Sequence, residues 1–215
     1  ILGVYGLLGS GRTELARALG GADRTRSGVV RIDGQAVELH SPRDGRRAGV
    51  GLVPEDRTAQ ALFAQSSVRE NVTSASEDLI SRWGWLRSSV ERDLVQGVVD
   101  DLRVRTPSIE QRVAYLSGGN QQKVVLGRWL VRSPHILILD DPTVGVDVGA
   151  KDEIYRIIGD MTNAGTGVLF ISSDLPELLA LSDRLIVLHQ GRVAGSLSGR
   201  DTSQAEVLHL AMGTG

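Results

Sequence analysis

The chain has 215 residues, 41% of them hydrophobic, with a formal net charge of −2. That is an ordinary composition for one α/β domain with a small subdomain, and its near-neutral balance argues against a nucleic-acid binder, which shows a basic face or stripe. Without cysteine there is no disulfide scaffold and no thiolate metal site, and no apolar run approaches the ~20 residues that span a bilayer; the most apolar stretch, Val168 to His189, is broken by Asp174, Glu177, Asp183 and Arg184.

Ile1 to Tyr5 reads as a short buried strand entering a Gly-rich turn. No signal peptide and no initiator Met precede it, so the sequence is expected to begin inside a longer polypeptide. Thr13 to Leu19 reads as a helix ended by Gly20-Gly21. Val29 to Ile32 and Ala36 to Leu39 flank an Asp33-Gly34 turn, a hairpin signal. A short helix at 42–48 and a strand at 49–53 follow. Ser89 to Leu102 and Asn120 to Val131 carry helical spacing, the second stopped before Pro134. Trp83-Gly84-Trp85 reads as a loop or helix end whose rings pack the subdomain. Ile136 to Leu139 is fully apolar, as in the middle of a parallel sheet. Helix and strand then alternate through 150–161, 168–171, 176–181 and 185–188. The predicted fold is α/β: a mainly parallel sheet wrapped by helices, a small antiparallel part near 28–40, a core of 1–55 and 134–215, and a helical subdomain over about 56–133.

Three segments carry chemistry. Gly6-Leu7-Leu8-Gly9-Ser10-Gly11-Arg12-Thr13 fits the phosphate-loop pattern G-x4-G-K-[ST], with Arg12 in the lysine place. It leaves a strand and opens a helix, so backbone N–H groups and the helix dipole would surround phosphates, and the Thr13 hydroxyl would reach Mg2+. The plain alternative is a Gly-rich turn capping a helix. Ile136-Leu137-Ile138-Leu139-Asp140-Asp141 ends a buried strand in two acids. Asp140 would hold Mg2+, and Asp141 would polarise a water beside the γ-phosphate; the alternative is a pair of helix-capping acids. Leu116-Ser117-Gly118-Gly119-Asn120-Gln121-Gln122-Lys123 puts a hydroxyl and free glycine N–H groups at a helix start, an anion site. The histidines at 40, 135, 189 and 209 lack ligand spacing, and Ser10, Ser172 and Ser173 have no His–Asp arrangement, so metal-ligating histidines and nucleophilic hydrolysis are not expected. Arg103 and Arg105, beside Asp100 and Asp101, read as a solvated helix face.

Residues 116–122, with the loop at 6–13 and the strand at 136–141, resemble the signature, phosphate-loop and acidic-strand motifs of ATP-binding-cassette proteins, in order. Pro142 to Asp147 resembles the D-loop of that family. The resemblance is most specific to the C-terminal cassette of the tandem ATPase subunits of ribose, xylose and galactose importers. Gly9-Ser10-Gly11-Arg12-Thr13-Glu14-Leu15, Val53-Pro54-Glu55-Asp56-Arg57, Gly145-Val146-Asp147-Val148-Gly149-Ala150-Lys151 and Ile171 to Glu177 carry it.

That resemblance implies ATP and Mg2+ as ligands. Gly6 to Thr13 would contact the nucleotide; Ser117, Gly118, Gly119, Gln121 and Asp147 would contact nucleotide bound to a partner cassette. Thr13, Asp140 and Glu55 would serve the metal, and Asp141, Ser173 and Glu55 the chemistry. Cassettes with full activity are similar but carry Lys, Gln, Glu and His where Arg12, Glu55, Asp141 and Ser173 stand. Arg12 keeps the charge in a larger planar head. Asp141 falls roughly 1 Å short of a glutamate, a misplacement worth ~100-fold in rate. Ser173 is shorter than an imidazole and uncharged. The implied role is a weakly or non-hydrolysing cassette on the cytoplasmic face of the membrane that energises monosaccharide import. Its implied partners are a second cassette in the same polypeptide, two permease subunits and, indirectly, a periplasmic or lipid-anchored sugar-binding protein, with residues 55–75, Phe63 among them, in the coupling surface. The rivals are cassettes of DNA-repair or translation-factor type and a purely regulatory ATP-binding module. Residues 56–115 are too few for the long coiled coil of the first.

Overall fold

The computed structural model describes residues 1–199 and 202–213. Its contacts divide the chain into two compact units. The first holds Ile1–Glu55, His135–Pro142 and the chain from Gly165 onward; the second holds Asp56–Pro134 and Thr143–Ala164. The division expected from sequence differs at 143–164, which joins the helical unit because the helix there packs on the helix that follows Ser117.

In the first unit β1 (Leu2–Gly6) leads into α1 (Arg12–Leu19). β2 (Val30–Ile32) and β3 (Gln35–Val37) form the antiparallel hairpin, with Asp33 and Gly34 both at positive φ in its turn. α2 (Pro42–Arg47) is N-capped by Ser41 and precedes β4 (Val50–Val53). The remaining strands of the unit's main sheet are β7 (Ile136–Asp140), β8 (Gly167–Ile171), β9 (Arg184–His189) and β10 (Arg192–Ser198); α8 (Leu175–Leu181) and α9 (Gln204–Ala211) complete the unit. Strand order is β10-β9-β1-β8-β7-β4, parallel except for the antiparallel edge strand β10. Val4, Ala16, Val50, Ile138, Leu169, Ile171 and Leu188 form one buried cluster, and the intervening Leu137, Leu139, Val168 and Phe170 are buried as well, which is why the central strands are apolar at consecutive positions rather than alternate ones.

Because β1, β8 and β7 are parallel neighbours, their carboxyl ends lie along one edge of the sheet. Val4 and Asp140 both register with Ile171. The Gly-rich turn after β1, the two acids at the end of β7 and the Ser172-Ser173 pair after β8 therefore meet there, the edge at which open α/β sheets bind ligands.

In the second unit one wide helical turn, Arg57–Ala61, is capped by Asp56 Oδ1, which accepts from the amides of Thr58 and Ala59 at 3.1 and 3.0 Å. α3 (Val68–Thr73) starts in a Ser67–Glu70 capping box. α4 (Glu77–Ile80), a two-residue-strand hairpin of β5 (Ser81–Arg82) and β6 (Trp85–Leu86), α5 (Ser88–Asp101) and α6 (Gly118–Arg132) follow, and α7 (Val148–Asn163) lies against α6. Val72, Val95, Val98, Val124 and Leu126 are buried. The tryptophans of the hairpin do not pack the unit as expected from their size: Trp83 is 89% and Trp85 81% exposed. The pairing is only two residues long and turns on Trp83-Gly84, leaving no length of strand to fold the rings back.

Candidate functional site

The turn after β1 is shaped by glycines. Gly9 and Gly11 have φ of 76° and 97°, a region closed to most side chains, and Gly11 begins α1 without any side-chain cap. The first amides of α1 thus keep their hydrogen-bonding capacity and the positive end of the helix dipole. The loop is tied from below by the Ser10 amide on the Leu7 carbonyl at 3.0 Å and by the Gly191 amide on the Ser10 carbonyl at 2.9 Å.

Around this turn the first unit brings together Arg12, Thr13, Asp140, Asp141 and Ser173. Asp140 is 1% exposed, accepts from the Thr13 hydroxyl, and leaves its Oδ1 without a partner. Burial chiefly, with the negative charges of Asp141 and Glu55 adding to it, pushes its pKa up to about 6; Thr13 and Arg12 oppose the shift. Asp141 follows at φ 46°, and its amide donates to the Ile171 carbonyl at 2.9 Å. Its Oδ1 accepts both the Ser173 amide, at 2.7 Å, and the Ser173 hydroxyl, at 2.9 Å. Its Oδ2 faces Arg12 Nη2 at 4.0 Å. Glu55 is exposed, close enough to act on Asp140 through charge alone. Ser172 has a different part: its hydroxyl donates to Glu177 Oε2 at 2.6 Å and accepts from the Asp174 amide at 3.0 Å, bracing the start of α8.

The buried polar atoms without partners here are Ser10 Oγ, Arg12 Nη1 and Asp140 Oδ1. An unpaired donor and acceptor beside an uncapped helix start fit a phosphate chain with a cation, since buried polar groups otherwise find partners. No group of three His, Cys, Asp or Glu able to hold a metal occurs among the described residues. Mg2+ does not need one: a carboxylate, a hydroxyl, phosphate oxygens and water complete its octahedron.

The second unit carries the other set. Ser117 precedes α6 in extended conformation, exposed, its Oγ accepting from Asn120 Nδ2 at 2.9 Å, so the first turn of α6 is also uncapped by side chains. Gly118 and Gly119 are forced by close packing. A methyl on Gly118 would lie 2.8 Å from the Gly145 carbonyl, and one on Gly119 2.6 Å from Ala150 Cβ. Asp147 caps α7, its Oδ1 accepting from the Ala150 amide at 3.0 Å. Gln121 Nε2 donates to the Val113 carbonyl at 3.1 Å. Ser117, Gly119, Asn120 and Asp147 line a polar cavity of about 230 Å3 together with Arg105, Lys123 and Glu153. Lys123, buried, pairs with Glu153, which holds that carboxylate below its usual range, and donates to the Arg103 carbonyl at 3.0 Å. Arg105, read from sequence as a solvated face, lines this cavity.

Two further residues lie outside the sequence-based expectation. Arg57 donates to the Val144 carbonyl at 2.6 Å and the Gly145 carbonyl at 3.2 Å, fastening the loop before Asp147. Arg128 donates to the backbone of Ala61 at 2.7 Å and of Asn71 at 2.9 Å; burial alone lowers its pKa to about 10. Arg57 lies within a motif that the sequence offers, but its partners are 87 and 88 residues away. Arg128 carries no local signal beyond being one of three cations along α6, with Lys123 and Arg132.

Residues 1–144 match the family model of the ABC transporter. Curated relatives include a "Putative ribose/galactose/methyl galactoside import ATP-binding protein 3" of Burkholderia cenocepacia, 48% identical over 214 residues. A "Ribose import ATP-binding protein RbsA 1" of Rubrobacter xylanophilus is 47% identical over 218 residues. These alignments cover 99% and 98% of this chain but only 42% of each relative, so the chain spans about two fifths of their length. Among solved structures, a dimeric ATP-binding cassette in a post-hydrolysis state bound to ADP and Pi superposes with a TM-score of 0.78 at 21% identity, over 94% of this chain and 86% of that one. CbiO1 from Clostridium perfringens, part of an ABC transporter complex, superposes with a TM-score of 0.76 at 20% identity, over 96% and 80%. At those identities the likeness is one of fold.

Proposed function

The chain belongs to the ABC transporter family, and from that premise we propose that it is a cassette of a sugar importer that binds Mg-ATP at its own phosphate loop, turns it over slowly or not at all, and lends Ser117 to Gly119 to the ATP site of a second cassette. The observation that carries the reading is the state of Asp141: one carboxylate oxygen is held by two donors of Ser173 and the other faces the Arg12 guanidinium. With both oxygens engaged, this carboxylate has little freedom to turn a lone pair toward an attacking water. It is also fixed against the sheet edge rather than free to reach a water.

Gly9 and Gly11 turn the backbone so that the amides opening α1 can take phosphate oxygens, and the free Nη1 of Arg12 adds a cationic donor. Thr13 and the unpartnered Oδ1 of Asp140 would hold Mg2+, with exposed Glu55 beside them. That ion, when bound, neutralises phosphate charge and orients the terminal phosphoryl group. Because burial raises the pKa of Asp140 to about 6, proton and cation would compete for this carboxylate below that pH. Ser173 spends its only O–H on Asp141, so it offers no second donor to a phosphate.

The relatives' names support monosaccharide import as the work served. On this reading the complete assembly contains a second cassette, in the same polypeptide, two permease subunits and a sugar-binding protein, and this cassette sits on the cytoplasmic face of the membrane. The test is single-turnover hydrolysis by the full polypeptide with the other cassette inactivated. Nucleotide binding with little phosphate release is expected; release at the rate of the other cassette would overturn the reading.

A further inference from the structure

The hairpin Ser81–Leu86 belongs to neither site. Its two central residues, Trp83 and Gly84, have φ of 56° and 82°, the geometry of a primed two-residue turn. Such a turn is ordinarily made by Asn-Gly or Asp-Gly, because a bulky side chain is disfavoured in the left-handed region. Here an indole stands at the apex, 89% exposed, with Trp85 81% and Leu86 61% exposed beside it. Three large apolar side chains in water, one at an unfavourable backbone angle, mark a surface built for contact.

The flanking charge says what kind. Arg82 and Arg87 are exposed and enter no ion pair among the described residues. Residues 81–87 contain no acid, and Asp78 just upstream is already bound by Arg132 at 2.6 and 2.7 Å. Indole rings belong at the headgroup level of a bilayer, where the ring is half-desolvated and the N–H stays wet, and guanidinium groups bind phosphodiesters as forks. Basic residues beside inserted aromatics select anionic lipid.

We propose that residues 81–87 form a membrane-surface anchor in which Trp83 and Trp85 enter the headgroup layer of an anionic bilayer while Arg82 and Arg87 hold lipid phosphates. The contact is with lipid, and it needs no nucleotide.

The full polypeptide containing this chain is tested by co-sedimentation with vesicles of phosphatidylcholine, with or without phosphatidylglycerol, and by quenching of tryptophan emission with brominated lipid, all without nucleotide. Binding that rises with phosphatidylglycerol, falls with salt and quenches emission is expected. Trp83→Ser/Trp85→Ser lowers the partition coefficient at least about tenfold, and Arg82→Gln/Arg87→Gln lowers it by roughly fivefold per arginine and flattens the salt dependence. Trp129 remains in both variants as a reporter of fold. The proposal is overturned if the full polypeptide ignores vesicles, if the tryptophan variant partitions like the parent, or if the variant loses binding only where permease is reconstituted, which would assign the hairpin to a protein partner. Because no arm contains ATP, these results stand apart from failure of the nucleotide reading.

Discussion

Ser173 donates twice to one oxygen of Asp141, from its amide at 2.7 Å and its hydroxyl at 2.9 Å. Side-chain length on both partners suits this bond: a glutamate would overshoot the amide, and a histidine would occupy the space the hydroxyl leaves. Two of the four positions at which this chain differs from the pattern of fully active cassettes are therefore joined by hydrogen bonds.

Changing one without the other should accomplish little. Asp141→Glu alone is expected to leave single-turnover hydrolysis within a few-fold of the parent, whereas Asp141→Glu with Ser173→His should raise it about 10–100-fold. Phosphate release by the full polypeptide, with the other cassette inactivated, measures both; equal effects of the single and double changes would break the coupling.

Asp140 gives a pH signature. Its folded pKa is raised from 3.8 to about 6, so the folded state holds this proton more tightly than the unfolded chain. The resulting stability is complete below about pH 4, is lost as pH rises through 6, and amounts to about 3 kcal/mol over that window. Asp140→Asn should then stabilise the nucleotide-free protein by ~1–3 kcal/mol at neutral pH and not near pH 4, read from urea midpoints. The same variant should lose the Mg2+-dependent part of nucleotide affinity, which in the parent weakens below pH 6.

The Ser-Gly-Gly segment separates fold from function at Ser117. Gly119→Ala meets Ala150 Cβ at 2.6 Å and is expected to destabilise the protein by ~1–3 kcal/mol. Ser117 is exposed and its hydroxyl, among the described residues, meets Asn120, so Ser117→Ala should change stability by less than ~1 kcal/mol while lowering ATPase at the partner cassette in the full polypeptide. Unaltered ATPase would remove the case for lending.

Arg128 is a stability prediction. Arg128→Ala takes the guanidinium donor from the Ala61 carbonyl and leaves the Asn71 carbonyl to the Ser74 hydroxyl, and should cost ~2–4 kcal/mol, while Arg128→Lys, able to reach one of the two carbonyls, should cost roughly half as much. Denaturant unfolding of the pair measures this.

Strands and helices were legible where apolar runs met Gly or Pro. The apolar strand from Ile136 was visible in outline, but it runs one residue further, through Asp140, because that acid still pairs in register with Ile171. The Gly-rich turn between β1 and α1 was legible because its residues are contiguous. The Asp141–Ser173 bond was not: it joins positions 32 apart through the order of β7 and β8, and the Lys123–Glu153 pair likewise depends on how two helices lie together. Trp83 and Trp85 were misread because ring size argues for burial, while the turn that exposes them is set by two positive φ angles.

Gly118 and Gly119 pack closely against residues 145–150, and Arg57, whose guanidinium also lies against Gly118, holds the Val144 and Gly145 carbonyls of that loop. Ser117 and Asp147 therefore each stand next to residues that pack on one another. The wide turn and the start of α6 thus share one set of contacts through the 144–145 backbone.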